Sequence, residues 1–493
     1  MGEHIVNIEC NGGICKVVDR LPSMPIRLIH AACSYQVQGY EHMTGKLVRN
    51  WDGYIRLFHK GYRTFPIGLL PIICEILDNH NLEYTISHHE YNTHKLDLSI
   101  LLEAQKQFEL RKYQYDTVLK AVENKIGVLR VATGGGKTII AGHIISSIGE
   151  PTLFLVHTKD LLYQAIDVFN EMFGEDQVGQ IGDGVIDIKN VTVATIQTMS
   201  RVYGHEYNNY EYDDIDNWDD LDTKLDNYSA IDIKQAMNHI GVVFVDECHR
   251  IAAPTAMNLM GMLTNPRFRF GLSASPWRDD GADLAIQACL GEMLVSISAS
   301  DLTPEYLVPP VIRLIDVPPR QYPKATRYPQ IYSDYIIHNE DRNRLITEAA
   351  VSLVHRRKPT MVLISRINHG KILQDMISEE LGVRVPFISG KDTSLLRKSV
   401  LGDIRSGRLG IFIASTIADE GLDIKPLQGL ILGGGGKSST KALQRVGRIL
   451  RPYKDKDHAE VIDFTDKARI LVNHSATRVR LYETEPKWEI LDC

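Results

Sequence analysis

The sequence predicts an α/β protein in which two successive parallel-sheet domains follow a small N-terminal α+β domain. A chain of 493 residues is long for one hydrophobic core and is typical of about three domains. From residue 126 onward, short β-branched runs alternate with helical patterns, which indicates buried parallel strands. The first hundred residues instead show short strands and turns. We therefore predict domains at 1–95, 96–302 and 303–493.

The individual elements are predicted from local patterns, in chain order. The N-terminal domain has predicted strands at Pro25–Ala31, Gly53–Phe58 and Thr64–Ile67 and a helix at Leu69–Asn79. The second domain has predicted strands at Val128–Ala132, Thr152–Val156, Val191–Thr195, Val242–Val245 and Phe268–Leu272, and a helix at Lys159–Phe173. The third has predicted strands at Met361–Ser365, Val385–Ile388, Ile411–Ser415, Leu430–Leu432 and Glu460–Phe464, and a helix at Asn368–Leu381. The proline-bearing stretch Leu302–Pro329 is interpreted as the hinge between these two domains.

The composition argues against membrane, secreted and zinc-binding classes. Hydrophobic residues make up 44% of the chain and charged residues 24%, and no run of 18 apolar residues predicts a transmembrane helix. The N-terminus lacks the basic and apolar regions of a secretory signal. The seven cysteines are scattered without a Cys-x-x-Cys pair, which favours a reduced, cytosolic compartment.

The charge is unevenly distributed along the chain. A net charge of −7 counts mildly against a nucleic-acid binder. However, residues 205–234 carry ten acidic residues, opposed only by Lys224 and Lys234. Without this segment the chain is close to neutral, so we interpret the segment as an acidic insertion in the second domain.

A glycine-rich loop between a predicted strand and a helical pattern is the strongest chemical signal. Backbone N–H groups of such a loop, with the following helix N-terminus, form an anion site that suits the phosphates of ATP. The lysine can reach the β- and γ-phosphates and the threonine hydroxyl can hold Mg²⁺. The candidate residues are Thr133, Gly134, Gly135, Gly136, Lys137 and Thr138. Val131 stands where the usual pattern has its first glycine, so the loop is a variant. The alternative is a chance glycine-rich turn.

A pair of carboxylates follows the apolar strand Gly241–Val245. At the carboxyl end of a strand, beside a phosphate loop, Asp246 can hold Mg²⁺ through its water shell. The adjacent Glu247 can polarise the attacking water as the catalytic base. The alternative is a solvated pair of acids at a strand end.

An arginine cluster near residue 450 can complete such a site from another domain. Gln444, Gly447, Arg448 and Arg451 follow a predicted strand of the third domain. Arginine can stabilise the charge of a transferring γ-phosphoryl group. We expect Arg448 and Arg451 to share one helix face, since they are three residues apart. The alternative is a solvated helix.

A second glycine run, Gly433–Ser438, also resembles a phosphate loop. A second nucleotide site would need its own carboxylate pair at a strand end, and the sequence places none nearby. We interpret the run as a flexible loop at a cleft or on nucleic acid, with a second ATP site as the alternative.

In this order, the motifs resemble those of superfamily 2 helicases over about residues 110–470. Besides the segments above, Arg111–Gln114 is similar to the adenine-reading segment, with Gln114 on the base edge, and Ser273–Ser275 to the motif that couples hydrolysis to DNA movement. Thr416 and Glu420–Asp423 resemble the fifth motif. The resemblance implies two RecA-like domains, ATP and Mg²⁺ as cofactors, and further nucleotide contacts at Arg111, Gly421 and Asp423. It implies nucleic-acid contacts at His157, Thr158, Lys159, Thr195, Gln197, Ser365, Arg366, Ser389, Gly390 and Thr416.

The N-terminal domain resembles that of phage UvsW-type helicases, on the segments Asn50–Leu57 and Phe65–Leu69. This resemblance implies a substrate of branched DNA, such as forks, Holliday junctions and displacement loops, in the host cytoplasm. Five basic residues between positions 46 and 63 are interleaved with aromatic residues, and such a patch can hold duplex arms. Its candidate contacts are Arg49, Arg56 and Arg63. The aromatic residues have the alternative of belonging to the core.

Three alternatives stay open at this point. The motor can act on RNA, or move along duplex DNA without separating strands. A nucleotide-gated DNA-binding scaffold is the non-enzymatic alternative.

The acidic segment 205–234 can be a surface insertion, a disordered spacer or a mimic of DNA. We expect a monomer with no obligatory protein partner.

Overall fold

The computed structural model describes residues 5–37, 51–89, 108–204, 230–275, 282–319, 327–390, 392–415, 424–435 and 439–493. The chain divides into two compact units. The first comprises Met1–Val131 with Gly136–Ser296, and the second comprises Ala132–Gly135 with Ile297–Cys493. No helix of the described ranges is long and apolar enough to cross a membrane.

The N-terminal region is a four-stranded sheet with two helices and a small two-stranded ladder. The sheet has the order β5-β2-β1-β6, and β3 pairs with β4. The elements are β1 (Val6–Asn11), β2 (Ile14–Val17), α1 (Ser23–Ala32), β3 (Ser34–Gln36), β4 (Tyr54–Arg56), β5 (Thr64–Pro66), α2 (Leu70–Asp78) and β6 (Tyr84–His88). A 3₁₀ turn at Ile67–Leu69 precedes α2.

The strand predicted at Pro25–Ala31 was wrong, because this segment lies within helix α1. Pro25 occupies the first turn, where its missing N–H costs no hydrogen bond. Pro25 and Ile29, four residues apart, are the buried residues of the helix. The helical spacing of these two apolar residues outweighed the β-branched content of the segment.

The N-terminal sheet shares a hydrophobic core with the rest of the first unit. Its cluster of buried residues includes Ala288, and Leu284 and Ile126 pack against it. The approach is close at Gly68, where a Cβ would lie 1.8 Å from the carbonyl oxygen of Gln287. The predicted N-terminal domain therefore packs directly on the following domain of the same unit.

An eight-stranded sheet forms the centre of the first unit, with the order β10-β9-β11-β8-β12-β13-β7-β14. Its strands are β7 (Ile126–Val131), β8 (Thr152–Val156), β9 (Val178–Gly182), β10 (Val185–Asp187), β11 (Val191–Thr195), β12 (Val242–Asp246), β13 (Phe268–Ser273) and β14 (Met293–Ile297). The helices are α3 (Lys112–Asn124), α4 (Lys137–Ile148), α5 (Lys159–Phe173), α6 (Ile196–Val202), α7 (Ala230–Met237), α8 (Pro254–Met262) and α9 (Asp283–Leu290). A short 3₁₀ helix, Cys248–Ala252, follows β12.

A seven-stranded sheet with the order β17-β18-β16-β19-β20-β15-β21 forms the second unit. Its strands are β15 (Pro310–Asp316), β16 (Thr360–Leu363), β17 (Phe387–Ile388), β18 (Ile411–Ala414), β19 (Gly429–Leu432), β20 (Ala459–Thr465) and β21 (Glu489–Asp492). The helices are α10 (Ala299–Leu302), α11 (Tyr328–Tyr332), α12 (Glu340–His355), α13 (Ile367–Leu381), α14 (Ser394–Arg405), α15 (Ser439–Arg448) and α16 (Arg469–Glu483). A π-helical turn at Ser333–Ile337 follows α11.

The stretch predicted as a hinge contains a full strand of the second sheet. Strand β15 pairs in parallel with both β20 and β21. Its residues alternate between buried and partly buried positions, which is a sheet pattern that the neighbouring prolines obscured. Residues 302–329 are therefore not one continuous linker, because β15 within them belongs to the second sheet.

The strand order of the first unit places three chemical segments at one edge. Parallel β12, β13 and β7 lie side by side, with Asp246 in register with Leu272 and Ser273 with Arg130. The carboxyl ends of parallel strands meet at the same edge of a sheet, where ligands bind in this type of fold. The glycine-rich loop, the carboxylate pair and the serine motif therefore converge, although over a hundred residues separate the first from the second.

Candidate nucleotide site and nucleic-acid contacts

The glycine-rich loop has the backbone of a phosphate cradle. Gly134 and Gly136 have φ of 86° and 79°, in the left-handed region that favours glycine. Gly136 is the N-cap of α4, so the first helical N–H groups follow directly from the loop. A Cβ at Gly136 would lie 2.5 Å from Nε2 of Gln114. Glycine is therefore required at Gly136 both by conformation and by space.

The lysine of the loop and the predicted base lie close together. Nζ of Lys137 is 3.9 Å from Oε1 of Glu247. Glu247 itself has a φ of 49°, which is uncommon for a residue with a side chain, and its N–H donates to Oδ1 of Asp246 over 3.0 Å. The turn thus places the Glu247 carboxylate towards Lys137, while the Asp246 carboxylate accepts a hydrogen bond from the backbone of the turn.

Glu247 is also tied to the serine motif and to a histidine that sequence reasoning left without a role. The hydroxyl of Ser273 donates to Oε2 of Glu247 over 3.3 Å. Nδ1 of His249 lies 3.4 Å from the same carboxylate oxygen and 3.4 Å from the Ser273 hydroxyl. The backbone N–H of Ser275 donates to the Ser273 hydroxyl over 3.2 Å. The position of His249, two residues after Glu247, was the sequence signal for this contact.

Burial and neighbouring charges shift the pKa values of Asp246 and Glu247 in opposite directions. Burial, together with the neighbouring Glu247 charge, raises the pKa of Asp246 to about 7. Burial also acts to raise the pKa of Glu247, but the Lys137 charge and the His249 contact outweigh it and lower that pKa. The charged form of Glu247 is therefore favoured, and a nearby cation would likewise stabilise the charged form of Asp246.

These residues fit ATP with a magnesium ion. The loop offers backbone donors at a helix N-terminus, and Lys137 supplies positive charge beside it. Asp246 offers a carboxylate and Thr138 a hydroxyl, which are oxygen donors of the kind that Mg²⁺ prefers. That these two residues hold the ion stays a prediction from the sequence.

Gln114 lies beside the loop, and its role in adenine recognition stays a prediction. It is 5% exposed, and its Oε1 accepts a hydrogen bond from the N–H of Arg111 over 3.0 Å. Arg111 is the N-cap of α3 and its Nη1 donates to the Tyr113 hydroxyl over 3.3 Å. The Gln114 amide therefore fixes the start of α3 and limits the space at Gly136.

The expectation that Arg448 and Arg451 share one helix face was wrong. Helix α15 ends at Arg448, and Arg451 lies beyond it. The turn that follows α15 is closed by the N–H of Ile449, which donates to the carbonyl of Val446 over 3.1 Å. Both arginines are partly buried. The backbone of Gln444 lies in α15, and its side chain falls outside the described part.

The candidate contacts of the first unit cluster after β8 and β11. Nε2 of Gln197 donates to the carbonyl oxygen of His157 over 2.7 Å, which joins the ends of these two strands. Thr158 and Thr195 both cap helices, accepting bonds from Leu161 and Thr198 respectively. These candidate residues are thus joined by hydrogen bonds at the ends of the two strands, but Thr195 is only 1% exposed and its hydroxyl is bonded to that of Thr198.

The burial of His157 and the ion pair of Lys159 were not indicated by the sequence. The His157 ring is 6% exposed, and burial and the nearby Arg250 charge lower its pKa. Lys159 forms an ion pair with Asp183 at 2.5 Å, and the Tyr163 hydroxyl donates to the same carboxylate over 2.6 Å. Asp183 lies in a tight turn with a φ of 52°, and no sequence motif marks it.

The candidate contacts of the second unit lie after β16 and β17. Ser365 is partly buried and Arg366 is exposed at the N-terminus of α13. Ser389 is 5% exposed, and both its N–H and its hydroxyl donate to Asp392, over 2.6 and 2.9 Å. Gly390 is partly buried. Only Arg366 of this group therefore presents an exposed charge.

The second glycine run begins directly after β19. The carbonyl oxygen of Gly433 accepts a hydrogen bond from Arg342, and that of Gly434 accepts one from the Tyr332 hydroxyl. A Cβ at Gly434 would lie 2.5 Å from the Ser365 hydroxyl. The described part, through Gly435, thus packs against a candidate nucleic-acid contact.

The aromatic residues of the N-terminal patch divide between core and surface. Phe65 is 2% exposed and belongs to the core, whereas Tyr54 and Tyr62 are 41% and 72% exposed. Arg56 forms an ion pair with Asp52 and lies over the Tyr54 ring at 5.7 Å. The core alternative is therefore correct for Phe65 but not for these two tyrosines.

Arg63 has a structural role in this patch. Its Nε and Nη2 donate to the carbonyl oxygens of Val17 and Val18, over 3.0 and 2.9 Å. Several predicted residues fall outside the described part: Arg49, Thr416, Gly421, Asp423 and the acidic residues 205–229.

Comparison with known proteins identifies two helicase regions. Residues 107–278 match the family described as type III restriction enzyme, res subunit, and residues 342–453 match the helicase conserved C-terminal domain. The chain is 25% identical over 475 residues to the ATP-dependent DNA helicase uvsW of Enterobacteria phage T4, covering 90% of this chain and 88% of that protein. It is 25% identical over 386 residues to the DNA 3'-5' translocase XPB2 of Sulfurisphaera tokodaii, covering 71% and 80%.

A solved structure extends the comparison to the fold. S. cerevisiae Dbp5 bound to RNA and ADP BeF3 aligns with a TM-score of 0.55 at 14% identity, covering 81% of this chain and 94% of that one. The predicted fold class, with two RecA-like parallel-sheet domains and an N-terminal α+β region, is confirmed. The two helicase regions, and a phage relative matched along most of both chains, place this protein in superfamily 2 as an ATP-dependent helicase.

Proposed function

We propose that this helicase acts on branched DNA, using ATP hydrolysis to unwind or branch-migrate forks and related junctions. The observation that carries the proposal is the 475-residue match to a relative named as a DNA helicase, since it covers 90% of the chain. A match of that extent cannot be confined to residues 107–278 and 342–453. The N-terminal region is therefore part of the relationship, and it carries the patch that suits duplex arms.

The ATP step depends on the cluster at the edge of the first sheet. Lys137 would neutralise charge on the β- and γ-phosphates, and the loop N–H groups would orient them. Glu247, held ionised beside Lys137, is suited to orient the attacking water and accept its proton. A magnesium ion held by Thr138 and Asp246 would supply further neutralisation of phosphate charge. Arg448 and Arg451 would stabilise the γ-phosphoryl charge, as the sequence resemblance implies.

The grip on a single strand would use neutral groups at strand ends. Gln197 in one unit and Ser365 in the other are partly buried and suit contacts to phosphate and sugar without reading bases. The buried hydroxyls of Thr195 and Ser389 are instead bonded to Thr198 and Asp392. The hydrogen bond from Gln197 to the His157 carbonyl holds the first of these surfaces together. Arg366 adds a charge that can attract the strand.

The N-terminal patch would distinguish branched from linear DNA. Exposed tyrosines can stack on bases or sugars at a junction, and Arg56 beside Tyr54 can contact phosphate. Because this sheet shares a core with α9, deleting it would expose apolar surface on the motor. Point substitutions therefore test the assignment more cleanly than a truncation.

The test compares ATPase stimulation and unwinding on forked DNA, Holliday junctions, linear duplex, single strands and RNA. Lys137→Ala should abolish ATPase and unwinding while leaving DNA binding largely intact. The double variant Y54A/Y62A should lower the preference for forks over linear duplex at least fivefold, since stacking contributes about 1–3 kcal/mol per base. Met24→Ala, which removes an exposed side chain from α1, is the matched control. An unaltered fork preference in Y54A/Y62A would remove the N-terminal role.

A duplex translocase is the second candidate, favoured by the relative named as a DNA 3'-5' translocase. Such an enzyme would hydrolyse ATP on linear duplex as fast as on forks and would not release a strand. Equal stimulation with no unwinding of any substrate would therefore favour this candidate over a helicase on branched DNA.

A further inference from the structure

A buried lysine braces the segment that follows the arginine cluster. Lys456 is only 7% exposed, although lysine is almost never buried without partners. Its Nζ donates to the carbonyl oxygen of Arg451 over 3.0 Å and to that of Lys425 over 3.4 Å. The ammonium group thus joins the point where the chain leaves the arginine cluster to a residue two positions after the fifth-motif segment Glu420–Asp423.

The electrostatics of this position are unfavourable for a lysine that serves packing alone. Burial, and then the neighbouring Arg451 charge, lower the pKa of Lys456 to about 8. A methionine or leucine would fill the same space without this cost, because burying an ammonium costs free energy unless its donors are satisfied. The two carbonyl bonds therefore point to a constraint on the backbone at Arg451 and Lys425.

We propose that Lys456 is a positioning residue for Arg451, holding its backbone so that the guanidinium is directed for ATP hydrolysis. The inference rests on the proposed role of Arg451. Three elements of the turn support it: the N–H of Lys456 donates to the carbonyl of Tyr453 over 3.1 Å, Asp455 has a φ of 59°, and the side chain returns to Arg451. A backbone fixed at its carbonyl restricts the directions that the attached side chain can take.

The experiment measures steady-state kcat and KM for ATP with saturating single-stranded DNA. K456M keeps the length of the side chain and removes the ammonium, and it should lower kcat about tenfold to a hundredfold, as expected for a misplaced catalytic group. KM for ATP should change much less, because the phosphate loop is untouched. K456R, which keeps a donor, should recover part of kcat. Lys454→Met, an exposed lysine of the same turn, is the control and should match the wild type.

A double variant separates positioning from general damage. The double variant R451A/K456M should have the same kcat as R451A alone, because the effect of K456M passes through Arg451. A full additional loss in that background, or wild-type kcat in K456M, would overturn the inference. If Arg451→Ala alone leaves kcat intact, the proposed role of Arg451 fails instead. Thermal unfolding of each variant identifies any loss of kcat that comes from an unfolded fraction.

Discussion

Glu460, a buried carboxylate in β20, provides a quantitative test of the second unit. It is 1% exposed and is contacted by three cations. Arg313 Nε lies 3.0 Å from Oε1, Arg356 Nη1 2.7 Å from Oε2 and Lys358 Nζ 2.9 Å from Oε2. Burial acts to raise the pKa of Glu460, but the bonds from Arg356 and Lys358 outweigh it and lower the pKa to about 2. Replacement by glutamine removes the charge and leaves the three cations facing one another.

The pKa gives the expected magnitude. A carboxyl whose pKa falls from 4.5 to about 2 on folding contributes about 3 kcal/mol at neutral pH. The side chains of Arg313 and Arg356 are 39% and 43% exposed, so solvent screening reduces the expected loss in E460Q to about 2 kcal/mol. Because the folded pKa is the lower one, this stabilisation is complete above about pH 4.5 and is lost as the pH falls towards 2.

Urea denaturation followed by circular dichroism measures this difference. At pH 7 the free energy of unfolding of E460Q should lie below that of the wild type, and the gap should narrow as the pH falls below 4.5. E348Q changes an exposed partner of Arg344 and should alter stability by less than about 0.5 kcal/mol. Equal stability of E460Q and wild type at pH 7, or a gap that widens in acid, would refute the electrostatic reasoning.

Three further substitutions test other parts of the molecule. Gly136→Ala should raise KM for ATP at least tenfold, because its Cβ would meet the Gln114 amide; an unchanged KM would show that the loop tolerates a side chain. Arg269→Met should lower the free energy of unfolding by about 3 kcal/mol, since three buried carbonyls lose their donor; urea denaturation would expose a wrong assignment as a smaller loss. Gln197→Ala should reduce stimulation of ATPase by DNA severalfold without changing the rate in its absence, because the His157 carbonyl loses its bond. A loss of the DNA-independent rate would instead place Gln197 in the ATP site.

Buried parallel strands could be predicted well because their pattern is continuous and strong. Thr152–Val156 and Val191–Thr195 have the predicted bounds, and all five of their residues are buried in each case. The edge strand β10 and the strand β15 were missed, since partly exposed or proline-flanked strands lack a continuous apolar run. Helix α1 was missed because two β-branched residues, Ile26 and Ile29, in a short apolar segment look like a strand when tertiary packing is unknown.

For the candidate site, the sequence could indicate individual residues but not the contacts between them. Sequence could mark Lys137 and Glu247 because each stands in a recognisable local pattern, but their 3.9 Å contact depends on strands that are distant in sequence. The Lys456 brace could not be found in this way. A lysine in a polar turn looks solvated, and only the fold shows that its ammonium is buried against main-chain carbonyls.

The geometry around Glu247 gives a physical reason why hydrolysis and strand movement can be linked in this chain. One carboxylate oxygen of Glu247 is shared by Ser273 and His249, so the serine motif is bonded to the proposed base itself. The next residue, Ala274, has its carbonyl bonded to Nε of Arg130 at 3.4 Å, at the end of the strand that enters the phosphate loop. A displacement of the Ser273 segment must therefore alter the hydrogen bonding of the base and of the strand before the loop. The same bonds operate in the opposite direction, since a change at the γ-phosphate that moves Glu247 is transmitted to the Ser273 segment. Short-range hydrogen bonds within one unit are thus sufficient to connect the ATP site to the segment that the sequence resemblance assigns to DNA movement.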